Sequence, residues 1–386
     1  MITSPHMVAP LAERFPRVAV VHEWLTIPGG SEQVVYAILG LLPQAELFTS
    51  IYDPAPWPEA IRDRAVHTSF LNRIPGATRR YTYLLPLMDA AFRSFDLSDF
   101  DLIVSSNHAC AKNVTVPDGV PHVCYCHTPM RYAWDPSFLE GEAIGSLPRR
   151  LLPLGTAWLR HVDRRRAAGP DVFVANSTFV AERIKAVYGR ESEVIHPPVE
   201  VARLLGRPRD PGDAYLVFGR LVPYKRADIA IRACELLGRN LIVAGAGRDM
   251  DRLRRLASSS TRFLGHVPDD EVPRLFARAR ALLFPGVEDF GIVPVEAQAA
   301  GLPVIAYGLG GVRDSILDGR TGVLYEDPSV EGLCDAILRY EALTFDDSEL
   351  RANAARFEPD RFTAAFQRLL LGLRPLFRSA DTLRAP

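Results

Sequence analysis

The sequence predicts an α/β protein of two doubly wound domains. Three observations carry this prediction. From Phe15 onward, short apolar runs of strand type ("RVAVVHEW", "DLIVSSN", "HVCYCH", "VFVANS") alternate with segments of helical period ("EQVVYAILGLL", "YTYLLPLMDAAFRSF", "STFVAERIKAVYG"). That alternation is the signature of parallel strands joined by crossover helices. The rhythm stops at Ile195, where "HPPVEVARLLGRPRDPGD", rich in Pro, Gly and charge, reads as a linker. It then restarts with "AYLVFGR", "NLIVAGAG", "RFLGHV", "ALLFPG", "PVIAYG" and "GVLYE". The last helical stretch, "DRFTAAFQRLLLGLRPLF", has no strand after it and is expected to pack back across the junction.

Composition sets bounds on function. A chain of 386 residues exceeds one ordinary core. The formal net charge of -1 removes the bulk electrostatic argument for nucleic acid as a partner. The five cysteines are scattered without CxxC spacing, which indicates neither a disulfide framework nor a structural zinc site and fits a reducing cytoplasm. The opening "MITSPHMVAPLAERFP" has no apolar core of signal-peptide length, and no later stretch has the apolar length of a membrane span. Residues 1–14 read as a loose arm.

Chemistry concentrates at two corners of the second domain. In "GVEDFGIVPVEAQAAG" (286–301), a helix starting just after "ALLFPG" brings the N–H groups of Phe290, Gly291 and Ile292 to its N-terminus, which favours a phosphate. Gly291 lets a ligand approach the main chain, and Pro294 suits a first helical turn. Glu296, one turn inside, can accept hydrogen bonds from ligand hydroxyls; Glu288, before the turn, can reach hydroxyls on the other side of the phosphate. This suits a sugar–diphosphate–sugar molecule, although acidic first turns are also common in purely structural helices. The second corner, "FGRLVPYKR", places Arg220 past a strand and Lys225 five residues later. Two cations there would stabilise the charge that builds on a departing nucleotide.

These residues carry a family resemblance. "GRLVPYKR", "GHVPDDEV" and "PGVEDFGIVPVEAQAAGLPVIAYGLGG" resemble the donor-site signature of the GT-B glycosyltransferases of family 4. "HEWLTIPGGSEQVV", "YCHTPMRYAWD" and "VANSTFVAERI" further resemble a bacterial mannosyltransferase branch that builds O-antigens and exopolysaccharides. The resemblance implies a GT-B fold, two Rossmann-like domains facing across a cleft, with residues 15–196 on the acceptor side, a linker at 197–213, a nucleotide-sugar domain at 214–358 and a returning C-terminal helix within 359–386. It implies that Arg220 and Lys225 hold the donor diphosphate, that Glu296 binds the ribose, and that Glu288 with the following amides holds the donor sugar. It matches His127 to the histidine that touches the transferred sugar, and Gly29 and Gly30 to a glycine loop closing over the phosphates. The implied reaction is a retaining hexosyl transfer that needs neither metal nor other cofactor. GDP-mannose comes first as donor, with UDP-sugars open. The implied acceptor is a carbohydrate or a polyprenyl-linked saccharide, and in the latter case the protein would be peripheral at the inner face of the cell membrane.

Read from the residues alone, "TIPGGSEQVV" is a plausible anion cradle with Ser31 as helix N-cap, or an ordinary tight turn. His127 alone would be unremarkable, since a histidine after a strand is often only a satisfied polar group. Three other signals carry less. "DFD" at Asp99 to Asp101 has metal-acid spacing but precedes its strand, the wrong end for a ligand. "GAG" at Gly245 to Gly247 lacks the rest of a dinucleotide fingerprint, so close packing or donor contact explains it better. Cys124 and Cys126 alternate along a strand and fill space. The basic segment 147–169 combines six arginines with Leu and Trp; it reads as a helix with its apolar stripe on its own domain, against a rival reading on an anionic membrane surface. Rival functions are an epimerase or phosphorylase of the same fold, the latter needing a pyridoxal lysine that is not evident, and a non-catalytic nucleotide-sugar-binding or scaffold protein.

Overall fold

The computed structural model describes residues 5–135 and 152–373. The chain divides into two compact units, one running up to Pro197 and resuming from Phe362, the other Pro198–Arg361. Both have a Rossmann-like α/β architecture.

The first unit holds strands β1 (Val18–His22), β2 (Glu46–Thr49), β3 (Val66–Thr68), β4 (Leu102–Asn107), β5 (His122–Cys126), β6 (Val172–Ala175) and β7 (Glu193–Val194). They form one sheet in the order β3-β2-β1-β4-β5-β6-β7. All recorded pairings are parallel; β1 pairs β4 from Val18↔Leu102 to His22↔Ser106. Strands β1, β4 and β5 are buried along their whole length, as strands covered on both faces must be. The second unit holds β8 (Tyr215–Phe218), β9 (Leu241–Ala244), β10 (Thr261–Gly265), β11 (Leu282–Phe284), β12 (Val304–Tyr307) and β13 (Gly322–Tyr325), also parallel, in the order β10-β9-β8-β11-β12-β13. In each sheet the chain builds outward from one central strand, then returns to its other side. The crevice between β1 and β4, and that between β8 and β11, are therefore the switch points where ligands of such sheets bind.

Three sequence expectations are corrected. The arm at 1–14 is not loose throughout: Pro5–Arg14 is a helix, and Leu11 is fully buried in the first core. The linker at 197–213 belongs to the second unit from Pro198, because Val199, Val201 and Leu204 bury their side chains in its core and the Val199 amide bonds the Phe357 carbonyl at 2.8 Å. Its Pro and charge content masked this short apolar series. Ser31 is not the helix cap, because the helix Gly30–Leu41 begins one residue earlier with Gly29 at the cap position. The final helix, Pro359–Gly372, inserts Phe362, Phe366 and Leu370 into the first core, where Phe362 and Phe366 also meet the ring of Tyr125.

The helix Leu152–Arg166 is pinned by polar contacts more than by an apolar stripe. Asp163 is fully buried; it pairs with the equally buried Lys112 and accepts hydrogen bonds from Trp134 Nε1 at 2.7 Å and Tyr188 Oη at 2.8 Å. Arg166 binds Asp89, Arg164 stacks on Trp134 and Arg160 donates to the Ala133 carbonyl. Leu159 packs on the core while Leu154 and Trp158 are exposed. Arg149, Arg150 and Leu151 lie outside the described residues. Among the described residues, no helix is long and apolar enough to cross a membrane.

Phe366→Ala should destabilise the first unit by about 3–5 kcal/mol, the usual cost of emptying a buried phenylalanine site. Urea unfolding followed by circular dichroism measures it; a loss under about 1 kcal/mol would mean that the final helix is not part of that core.

Candidate functional site

The second unit gathers its predicted residues at the switch point. Arg220 follows β8, and Lys225 sits in the short 3-10 turn Pro223–Lys225 that follows. Glu288 lies in the loop after β11, which leads into the helix Ile292–Ala299. Lys225 Nζ and Glu288 Oε1 are 2.7 Å apart, each side chain one-fifth exposed. Burial disfavours the ammonium, but the Glu288 carboxylate more than offsets this and holds the Lys225 pKa above its ordinary value, with the charge of Arg220 opposing that rise. The next residue, Arg226, is the only non-glycine with positive φ among the described residues, at 53°. A left-handed arginine costs energy and is tolerated where the surrounding loop fixes it.

Missing side chains make the close approach of these loops possible. A Cβ on Gly286 would sit 2.6 Å from Lys225 Cα, and one on Gly311 would sit 2.3 Å from Phe290 Cα. Neither distance is open to any residue but glycine, so the Lys225 turn, the Glu288 loop and the Gly311 loop stack in direct backbone contact. The Gly311 amide adds a hydrogen bond to the Glu288 carbonyl at 2.9 Å. "GAG" has the packing role that one of its two readings gave it, since a Cβ on Gly245 would collide with the Gly219 carbonyl.

Gly291 caps the helix Ile292–Ala299 in the left-handed region, φ 85°. Phe290 turns its ring inward onto Phe357, leaving its main chain to the loop. Glu296 projects from the helix and pairs with Arg203, a residue of the supposed linker. Burial raises the Glu296 pKa, and the Arg203 guanidinium opposes that rise. Arg203 engages Oε1, whereas Oε2 makes no protein hydrogen bond among the described residues.

The first unit has its own cluster at the β1–β4 switch point. His22 ends β1 and is fully buried; its Nδ1 lies 3.1 Å from Ser106 Oγ on β4, and its Nε2 lies 3.1 Å from Glu32 Oε1 on the helix Gly30–Leu41. Ser106 Oγ also lies 2.8 Å from Nε2 of His127, which follows β5 and is half-buried. The His127 amide donates to the Asn107 carbonyl at 2.8 Å, and its own carbonyl accepts from Asn176 at 3.0 Å. Burial, then the neighbouring His108 and His22, push the His127 pKa well below the usual histidine range. Glu23, fully buried, accepts hydrogen bonds from the amides of His108, Ala109, Cys110 and Ala111 at 2.6–3.0 Å and so fixes the loop after β4. Gly29 and Gly30 are exposed at the start of their helix, with Glu32 Oε2 buried close to Gly29. Asp99 and Asp101 meet Arg17 at the opposite end of the strands.

Comparison with known proteins places the chain. Residues 28–203 match Glycosyltransferase Family 4, and residues 207–357 match Glycosyl transferases group 1. Only residues 204–206 separate the two matches. The chain belongs to the GT-B glycosyltransferase group 1/family 4 superfamily. Among its curated relatives in this superfamily, a glycogen synthase of Mycobacterium tuberculosis is 31% identical over 213 residues, 51% of this chain and 50% of that one. A GDP-mannose-dependent alpha-(1-6)-phosphatidylinositol monomannoside mannosyltransferase of the same organism is 29% identical over 209 residues, 46% of this chain and 54% of that one. The chain thus spans about half the length of the curated relatives it matches. Among solved structures, Anabaena HepE in complex with UDP-glucose aligns with a TM-score of 0.67 at 18% identity, over 92% of this chain and 100% of the other. Sucrose-phosphate synthase from Thermosynechococcus elongatus aligns with a TM-score of 0.67 at 16% identity, over 92% and 98%. These likenesses establish the fold.

Five residues of these clusters escaped the sequence reading: His22, Glu23, Glu32, Ser106 and Arg203. Three of them, His22, Glu23 and Ser106, lie inside quoted strand runs, and the alternation of "VVHEW" and "IVSSN" gave no reason to separate a buried polar group from a surface one. A polar residue at the carboxyl end of a central, fully apolar strand was the available signal.

Glu32 yields a pH prediction. Burial opposes its charge, but the hydrogen bond and charge of His22 more than offset this and bring its pKa down to about 2 from an ordinary 4.5. A carboxylate with a depressed pKa stabilises the fold above its unfolded pKa, and that stability disappears as pH falls through the folded value. The first unit should therefore lose up to about 3 kcal/mol between roughly pH 4.5 and 2 through this group. Glu32→Gln should flatten that part of the stability profile measured by urea unfolding; an unchanged acid limb would contradict the pairing.

Proposed function

We propose that the protein is a nucleotide-sugar-dependent glycosyltransferase whose donor diphosphate binds at the β8–β11 switch point. The observation that carries this reading is the convergence of Arg220, Lys225, Glu288 and the start of the helix Ile292–Ala299 on one sheet edge. An ammonium has three donors, so Lys225 can keep its bond to Glu288 while turning the others toward phosphate oxygens. Arg220 and the first-turn amides supply the rest of the compensation for charge on the leaving nucleoside diphosphate. Glu296, held by Arg203 through one oxygen, offers the other to a ribose hydroxyl. Glu288 and the amides after it orient the donor sugar, and the family resemblance assigns His127 to the transferred sugar. The same resemblance assigns Gly29 and Gly30 to the donor phosphates.

The finer reading is retaining transfer of a mannosyl group from GDP-mannose to a carbohydrate or lipid-linked acceptor, without metal or other cofactor. It is supported by the branch resemblance of the first-unit motifs and by the similarity to a GDP-mannose-dependent mannosyltransferase. A UDP-sugar is the alternative donor, favoured by the structural neighbour HepE, which was crystallised in complex with UDP-glucose. No general base is assigned, because in a retaining transfer of this kind the departing phosphate oxygen can accept the acceptor proton.

A thermal-shift panel of GDP, UDP, ADP and their sugars tests the reading. The cognate nucleotide should raise the melting temperature, since a ligand at a hundredfold its Kd adds about 2.7 kcal/mol of stability. Lys225→Ala and Glu288→Ala should each lower turnover by about a hundredfold or more while leaving the unliganded melting curve close to wild type. Silence from every nucleotide, or undiminished turnover in both variants, would remove the assignment.

A further inference from the structure

The buried chain Glu32–His22–Ser106–His127 links a carboxylate on one helix to the half-buried histidine after β5 through three hydrogen bonds of 3.1, 3.1 and 2.8 Å. His22 and Ser106 are fully buried and Glu32 is 5% exposed, so no solvent competes along it. The direction of the protons follows from counting once the charge of His22 is set. An ionised carboxylate only accepts, so His22 Nε2 must carry a proton. Two forms of His22 are open: a protonated ring would donate from Nδ1 as well and reverse the chain, whereas the neutral ring leaves Nδ1 bare to take the single proton of the Ser106 hydroxyl, and the neutral ring is the form we take. The Ser106 oxygen has lone pairs to offer His127, and His127 Nε2 must donate to it. In the neutral His127 ring, the remaining nitrogen, Nδ1, carries no proton. Nδ1 makes no protein hydrogen bond among the described residues.

We propose that Glu32, His22 and Ser106 are positioning residues that fix the tautomer of His127, so that it presents Nδ1 as a hydrogen-bond acceptor to a hydroxyl of the bound sugar. This rests on the reading of His127 as the residue facing that sugar. The chain also locks the ring plane, because Ser106 anchors Nε2 and the His127 main chain is held on both sides by Asn107 and Asn176. His127 stays neutral through burial, which keeps the tautomer question meaningful across ordinary pH. An acceptor at this position can bind a sugar hydroxyl only as that hydroxyl's proton acceptor, so it selects a hydroxyl free to donate. A mis-set imidazole tautomer is costly in other enzymes even when geometry is unchanged.

The test reads the ring nitrogens directly. The full chain labelled with 15N-histidine is studied by long-range 1H–15N correlation at about pH 8, above the ordinary histidine range, with His127→Gln supplying the assignment. Wild type should show His127 protonated on Nε2 and bare on Nδ1. Ser106→Ala removes the anchor and should give a mixture of tautomers, while Ser106→Thr keeps the hydroxyl and should restore the wild-type pattern. Glu32→Gln touches nothing at His127, yet its amide can donate to His22 and reverse the chain, so the His127 proton should move toward Nδ1. In parallel, Ser106→Ala should lower kcat on the order of ten- to a hundredfold with the donor KM within about twofold, the mark of a residue that orients a ligand-contacting imidazole. Wild-type His127 protonated on Nδ1, or ring signals unchanged in both Ser106→Ala and Glu32→Gln, overturns the relay. A fall in kcat with unchanged ring signals also overturns it and leaves the transferase reading standing. The expected tautomer changes in a protein that turns over no donor would support the relay and remove the transferase reading.

Discussion

Parallel strands deliver all their carboxyl ends to one edge, and the rest of this protein depends on that constraint. In each unit the chain starts at the central strand, winds outward on one side, and then crosses to the other. The two loops that leave adjacent central strands must therefore part in opposite directions, leaving a crevice lined by main chain. In the second unit those loops carry Lys225 and Glu288; in the first, His22 with Glu23 and Ser106 with Asn107 stand at the same place. Chemistry is thus located by topology before any particular side chain is considered.

What makes the second crevice suitable for a diphosphate is how little separates its loops. Backbone lies directly on backbone at Gly286 and Gly311, and Arg226 accepts a left-handed conformation so that Lys225 can face Glu288. Lys225 meets its counter-ion Glu288 at 2.7 Å there, and the charge of Arg220 is felt at the same lysine. Preorganisation of this kind is the larger part of what a protein can offer to a leaving group whose charge grows as the bond breaks. The first crevice follows a different logic: its polar groups are buried and bonded to one another, so that they aim one imidazole instead of presenting charge.

The fold was legible in the sequence because apolar strand runs and helical periods alternate without ambiguity. The grouping of Lys225 and Glu288 at the second switch point was legible for a related reason: Gly, acid and cation at fixed distances from a strand end have few structural explanations together. The linker was misread because Pro and charge dominate 197–213, while only three residues, Val199, Val201 and Leu204, carry its packing. Arg203 was lost with it, although its partner Glu296 was found. His22, Ser106 and Glu32 are separated by as much as 84 positions, and nothing local marks two polar strand ends as neighbours until the β1–β4 register places His22 opposite Ser106.

The central claim is that a nucleoside diphosphate sits at the β8–β11 crevice. A crystal structure of the chain with GDP or UDP measures this most directly. The diphosphate should lie within hydrogen-bond reach of Arg220 and Lys225 and over the first turn of the helix Ile292–Ala299, with the ribose beside Glu296. A diphosphate bound elsewhere, or Arg220 and Lys225 both turned away from it, would contradict the account.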